Sequence, residues 1–166
     1  MNTPGIEILI PHFAEPLRIE RIVSDYTGTL SLGGKLVPGV AERLRKLKRL
    51  VEIHVVTADT RGTARKELAR VPLTPHILKS EARHGIQKRN YVKKLGLSRV
   101  AAFGNGNNDA LVLRAVRDAG GLAIAVDNGE GCSVQAMQSA NLFIVNILNA
   151  LELLLDPTRC KATLRR

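Results

Sequence analysis

The chain has 166 residues, 45% of them hydrophobic, and a formal charge of +10. That length suits one well-covered domain, 1–166, rather than two. No apolar run approaches the roughly 18 residues a bilayer crossing needs, and Pro4, Glu7 and Pro11 stand where a signal peptide has its apolar core, so a membrane partner is not expected and the expected location is the cytoplasm.

The first β-branched runs, residues 6–10 and 18–24, are separated by a Pro-bearing loop without a helical pattern. They read as an antiparallel N-terminal β-hairpin on the sheet. The second run ends at Asp25-Tyr26-Thr27-Gly28-Thr29-Leu30, a carboxylate at a strand end followed by a glycine turn and hydroxyl residues. Backbone N–H groups of such a turn point toward an incoming anion, which suits a carboxylate nucleophile facing a phosphoryl group. The same Asp-before-Gly pattern also serves as an ordinary turn.

Residues 38–50 follow as a helix, with Val40, Leu44, Leu47 and Val51 at helical spacing and Arg43, Arg45, Lys46, Lys48 and Arg49 off that stripe. A strand at 51–57 ends on Thr57; then come a helix at 60–70, a strand at 73–78 and a helix at 84–95. The strand at 99–103 runs into Gly104-Asn105-Gly106-Asn107-Asn108-Asp109 and a helix at 108–119. Strands at 122–126 and 142–145 alternate with helices at 133–138 and 146–155. Repeated strand-then-helix order predicts an α/β, Rossmann-like fold: a mostly parallel sheet with helices on both faces. Ligands of such sheets collect at the carboxyl ends of the strands, where Asp25, Thr57 and the loop from Gly104 all fall.

Cys132 and Cys160 lack metal-type spacing and read as free thiols, and His12, His54, His76 and His84 contain no i, i+4 pair for a histidine metal site. The basic residues cluster at 43–49, 83–94 and 159–166. With three Phe, two Tyr and no Trp, the chain lacks the stacking surface of a single-strand nucleic-acid binder, so nucleic acid is the disfavoured partner. These faces read as solvated ones that can draw in phosphorylated substrates.

Three motifs together resemble the haloacid dehalogenase superfamily, and within it the phosphorylation domain of P-type ATPases. Residues 25–30 resemble DKTGTL, Thr57-Ala58-Asp59-Thr60-Arg61-Gly62-Thr63-Ala64 resembles TGDNxGTA, and residues 104–111 resemble GDGVNDAP. Residues 31–52 leave no room for an inserted nucleotide-binding domain. The likeness is therefore to the small soluble P-type-ATPase-like phosphatases, whose ALDLLL…ATLR ending resembles residues 150–165.

The resemblance implies a phosphatase that works through an aspartyl phosphate on Asp25, with Mg²⁺ as cofactor. It implies metal ligation by Asp25, the backbone carbonyl of Thr27 and Asn105, with Asp109 helping directly or through water. Phosphate binding falls to Gly28, Thr57, Ala58 and a lysine. Lys88 is preferred for that lysine because Val92 and Leu95 follow it as in the ATPase pattern KxxIVxxL; Lys79, at a strand end, is the competitor. Two positions depart from the common pattern. Asn105 stands where most members carry Asp, so it brings no charge to the metal. Thr27 stands where most phosphatases carry the acid/base Asp, and threonine takes no proton at neutral pH, so turnover is expected to be slow. The alternative reading is a non-turnover module that binds phosphate or carries it on Asp25 as a mark. Neither gap between motifs holds a cap domain, so the site is expected to be open to a small phosphorylated molecule or a phosphoprotein, or covered by a second copy of the chain.

Overall fold

The computed structural model describes residues 3–79 and 82–166. Strands β1 (Ile6–Ile8) and β2 (Leu17–Ile19) pair antiparallel. After one residue the chain enters β3 (Arg21–Ser24), and beyond the first motif lie β4 (Ser31–Leu32) and β5 (Lys35–Leu36), a short antiparallel hairpin turning at Gly33 and Gly34. Then come α1 (Val40–Leu47), β6 (Glu52–Thr57), α2 (Ala64–Leu68), β7 (His76–Ile77), α3 (His84–Lys93) and β8 (Val100–Gly104). The chain continues through α4 (Ala110–Asp118), β9 (Leu122–Asp127), α5 (Val134–Ser139), β10 (Leu142–Val145), α6 (Ile147–Leu155) and α7 (Pro157–Leu164).

Six strands form one sheet in the order β10-β9-β8-β3-β6-β7, and every neighbouring pair is parallel. Side chains alternate between its faces. Ile22, Ala101, Phe103, Leu122, Ile124 and Val126 face α1, α2 and α6; Val23, Val56, Ala102, Ala123 and Ala125 face α3, α4 and α5. Both faces are covered, which is why the strands read as apolar runs rather than as alternating ones. This is the architecture expected, and among the described residues no cap domain is inserted: β4, β5 and α1 occupy the stretch after the first motif.

Several details differ from the sequence reading. The N-terminal hairpin forms a separate two-stranded sheet rather than extending the central one, because β3 is already paired on both edges, by β6 and β8. The helix expected at 60–70 is confined to Ala64–Leu68, because the Asp59 carboxylate accepts hydrogen bonds from Thr63 and Ala64 N–H, and Gly62 adopts φ +65°. The strand expected at 73–78 pairs only through His76 and Ile77; Pro75, beside them, has no N–H to donate. The basic tail folds as α7: Asp156 caps it by accepting from Thr158 N–H, Pro157 takes the first turn, and Cys160 is buried in the core.

Candidate active site

Three strand ends and one helix build the site. β3 sits in the middle of the sheet, and the backbone N–H of Asp25 still bonds to the Phe103 carbonyl of β8, so the side chain leaves the sheet from a fixed point. The carbonyl of Tyr26 then accepts from the N–H groups of Thr29, Leu30 and Ser31 and from the Ser31 hydroxyl, closing a tight turn. Gly28 serves this turn twice. Its φ of +76° favours glycine, and a Cβ there would stand 2.5 Å from the Asn105 side-chain nitrogen.

The centre is a buried charge cluster. Lys88 Nζ donates to Asp25 Oδ1 and to Asp109 Oδ1, each at 2.7 Å, and all three side chains are buried. Asp109 Oδ2 accepts from the backbone N–H groups of Asn105 and Gly106 at 3.0 Å, so this carboxylate both shapes the loop and braces the lysine. Gly104 is required for that loop, since a Cβ there would overlap the Asp109 side chain. Beside the cluster lies a small cavity bounded by Asp25, Lys88 and Asp109 and by the apolar residues Val23, Val56, Val112 and Leu113.

Burial and repulsion from Asp109 push the Asp25 carboxyl up to about 6, against the opposing pull of Lys88. For Lys88, burial disfavours the ammonium, yet the carboxylates of Asp109 and Asp25 outweigh it and hold its pKa above the ordinary lysine value. The lysine is therefore a fixed cation at neutral pH. Removing it would leave two buried carboxylates facing one another. Lys88→Met is expected to cost roughly 3–5 kcal/mol of stability at pH 8, with a smaller loss at pH 5, where the raised Asp25 carboxyl can take a proton. Urea unfolding at the two pH values checks this.

Helix α3 brings Lys88 to the site, although it buries little besides Lys88 and Val92. Its other anchor is Tyr91, whose hydroxyl lies 2.9 Å from His54 Nδ1 and whose ring packs 4.6 Å from that of His76. Neither histidine stood out in the sequence, where the four are scattered; strand pairing brings these two together. Lys79, the competing lysine, is exposed, and its carbonyl lies 3.1 Å from His84 Nε2.

Thr57 is buried at the end of β6, beside the end of β3, and its Oγ1 accepts from Asp59 N–H at 3.0 Å, leaving the hydroxyl proton to donate elsewhere. Ala58 continues from it into the loop before α2. Asn105 Oδ1 accepts from the Thr29 hydroxyl at 3.1 Å, and its Nδ2 donates to the Gly131 carbonyl. Thr27 Oγ1 is buried without a hydrogen-bond partner among the described residues.

The carboxylate of Asp25, the amide oxygen of Asn105 and the carbonyl of Thr27 are hard oxygen donors of the kind Mg²⁺ takes alongside waters. Both Asp109 oxygens are already engaged, which suits a supporting position rather than direct ligation. Among the described residues no group of three or more His, Cys, Asp or Glu side chains could hold a metal, so any ligand set here depends on the amide and carbonyl oxygens.

Sequence reading missed the β4–β5 hairpin, taking the stretch after the first motif as helix alone. Its signal was Gly33-Gly34 between short apolar-polar pairs. The hairpin is tied to the site by the Tyr26 hydroxyl, which donates to the Gly34 carbonyl at 2.9 Å, and by Gly33 N–H, which donates to Glu130 Oε1 at 2.7 Å. Asn128 adds a bond from Nδ2 to the Thr29 carbonyl.

No family model matches the chain. The chain is 38% identical to the uncharacterised protein MJ0073 of Methanocaldococcus jannaschii over 80 residues, 48% of this chain and 76% of that protein. It is 46% identical to the uncharacterised protein MJ0072 of the same organism over 39 residues, 24% of this chain and 89% of that protein. Among solved structures it is similar to the 3-deoxy-D-manno-octulosonate 8-phosphate phosphatase of Moraxella catarrhalis, crystallised with magnesium, phosphate and KDO. That likeness has a TM-score of 0.62 at 16% identity, over 87% of this chain and 90% of that one. The cobalt-bound Haemophilus influenzae phosphatase of the same name gives 0.65 at 9% identity, over 89% and 94%. A haloacid dehalogenase-like hydrolase of Streptococcus pneumoniae gives 0.57 at 13%, over 81% and 97%. Among the described residues no helix is long and apolar enough to cross a membrane. The chain belongs to the family of the two Methanocaldococcus jannaschii proteins, and its fold is that of the haloacid dehalogenase-like hydrolases.

Proposed function

We propose that the chain is a Mg²⁺-dependent phosphatase, a phosphoric monoester hydrolase acting as a single haloacid-dehalogenase-like domain through an aspartyl phosphate on Asp25. The observation that carries this reading is the lysine bridging two buried carboxylates at the end of the central strand, Lys88 Nζ at 2.7 Å from both Asp25 and Asp109. The likeness to a phosphatase crystallised with magnesium, phosphate and KDO supports it through the shared fold.

In this reading an oxygen of Asp25 attacks phosphorus, and the bond between phosphorus and the leaving oxygen breaks on the opposite side. Lys88 neutralises charge gathering on the phosphoryl oxygens, while the Thr57 hydroxyl and the N–H groups around Gly28 and Ala58 orient them. Mg²⁺, held by Asp25, Asn105 and the Thr27 carbonyl with Asp109 behind, would offset the repulsion between carboxylate and phosphate. Water then attacks phosphorus of the mixed anhydride, releasing inorganic phosphate and restoring Asp25. Neither Thr27 nor any other group named in the site is suited to protonate the leaving oxygen, so substrates with good leaving groups turn over best. The substrate is a small phosphorylated molecule or a phosphoprotein, met at an open site that a second copy of the chain can cover, in the cytoplasm.

Purified protein is expected to release phosphate from p-nitrophenyl phosphate with Mg²⁺ and to lose that release in EDTA; metal-independent release, or none, would count against the reading. One observation favours a second reading, related to the ATPase phosphorylation domain. Because Thr27 cannot act as an acid or base, Asp25 can hold its phosphoryl group as a long-lived mark. Acid-quenched protein would then retain phosphate on Asp25 with little turnover.

A further inference from the structure

Three loops meet at the tip of the β4–β5 hairpin. Gly33 N–H donates to Glu130 in the loop after β9, and Arg61, in the loop after β6, lays its stem against Gly34. A Cβ at Gly34 would stand 2.7 Å from Arg61 Cδ. The Thr63 hydroxyl closes the same junction by donating to the Gly34 carbonyl. This ring stands on the loops that carry Asp25 and Thr57, since the Tyr26 hydroxyl and the Thr63 hydroxyl both donate to Gly34, so it stands at the rim of the candidate phosphoryl site.

The charges on this rim are not equivalent. The Asp59 carboxylate is occupied by the N–H groups of Thr63 and Ala64, and Glu130 by that of Gly33. Arg61 forms no hydrogen bond among the described residues. Its one ionic neighbour is Glu130, at 3.8 Å, with about half of the arginine side chain exposed. A pair that long and that wet contributes little. The result is a guanidinium with its donors unspent, its stem pinned beside the site, in a chain of net positive charge.

We propose that Arg61 reads the leaving group, and that the substrate is a phosphomonoester whose leaving group carries a second anion, a carboxylate or a phosphate. This rests on the phosphatase reading above. Glu130 acts as the counter-charge that a correct leaving group displaces from Arg61, while its bond to Gly33 keeps the hairpin tip in place. A neutral leaving group offers nothing to exchange for that contact.

The test compares kcat/KM with Mg²⁺ for 2-phosphoglycolate and ethylene glycol bisphosphate, the carboxylate and phosphate arms, against ethyl phosphate and p-nitrophenyl phosphate. Arg61→Ala is expected to lower the charged-to-neutral ratio roughly tenfold or more, chiefly through KM, with Arg61→Lys falling between. Glu130→Gln keeps an oxygen for Gly33 N–H and removes the competing charge, so it is expected to raise the same ratio. These opposite signs cannot both come from a loosened hairpin. Whichever arm responds identifies the second anion. If p-nitrophenyl phosphate is hydrolysed but neither variant moves the ratio, the role of Arg61 fails and the phosphatase reading stands. If the wild-type protein hydrolyses none of the four, both fail together.

Discussion

Asp25→Asn is expected to remove at least about 10⁴-fold of the Mg²⁺-dependent phosphatase rate, because an amide oxygen is too weak a nucleophile to form the mixed anhydride. The substitution is nearly isosteric, and the amide oxygen can still accept from Lys88, so the fold should survive it. Asp25 also sets a pH dependence whose sign can be worked out. Its carboxyl is pushed up from 3.8 to about 6 by burial and by Asp109, more than Lys88 pulls it down. Between those values the folded state holds the proton more tightly than the unfolded chain. Stability from this group is therefore present at low pH and declines as pH rises through that window. Catalysis runs the other way: the attacking oxygen must be ionised, so phosphorylation slows as pH falls and Asp25 takes up its proton. Asp25→Asn should abolish the activity and flatten the stability change together, read by phosphate release and by urea unfolding at pH 4.5 and 7. An active Asp25→Asn protein would end the aspartyl-phosphate mechanism.

The architecture was legible because both determinants are local in sequence. Strands buried on both faces appear as short apolar runs, and helices on a parallel sheet appear as amphipathic stretches between them. Val40, Leu44 and Leu47 mark α1, and all three are buried in the structure. Boundaries were less legible where a side chain competes with the backbone. Asp59 takes the N–H groups of Thr63 and Ala64, and so shortens a helix that the pattern carries further. The same limit hid the tail, where Asp156 followed by Pro157 restarts a helix after what reads as an ending.

In the site, residues that approach along adjacent strand ends could be grouped from order alone, as with Asp25, Thr57 and the loop that starts at Gly104. Lys88 came from the resemblance, not from spacing. It lies 63 positions from Asp25, and only the packing of α3 across β6 and β7, through Tyr91 on His54 and His76, sets its amine beside two carboxylates. Glu130 and Arg61 carried no readable signal at all. Their positions are decided by a hairpin whose tip they share, and that is a contact between three loops rather than a property of any one.

The position most informative about turnover is Thr27. In the proposed phosphatase, a site with a nucleophile, a fixed cation and a metal-ligand set lacks one part: a group that gives a proton to the departing oxygen and then takes one from water. The Thr27 hydroxyl is buried without a hydrogen-bond partner among the described residues, so replacing it disrupts no bond there. Thr27→Asp supplies the missing group two residues from the nucleophile and is expected to raise turnover by roughly 10²- to 10⁴-fold. The gain should be larger for ethyl phosphate, whose alkoxide needs protonation, than for p-nitrophenyl phosphate, whose phenolate does not. Dephosphorylation should accelerate for both, since water activation is independent of what has left. A third carboxylate beside Asp25 and Asp109 has a cost: the variant should melt lower than wild type in EDTA and recover part of the loss with Mg²⁺, which offsets the added repulsion. Steady-state assays on the two esters, acid-quench measurement of phosphate retained on Asp25, and melting with and without Mg²⁺ separate these effects. If retained phosphate falls while turnover of the alkyl ester climbs, Thr27 is what slows this chain. If neither rate moves, the slow step lies elsewhere, and the long-lived phosphoryl mark loses its physical basis.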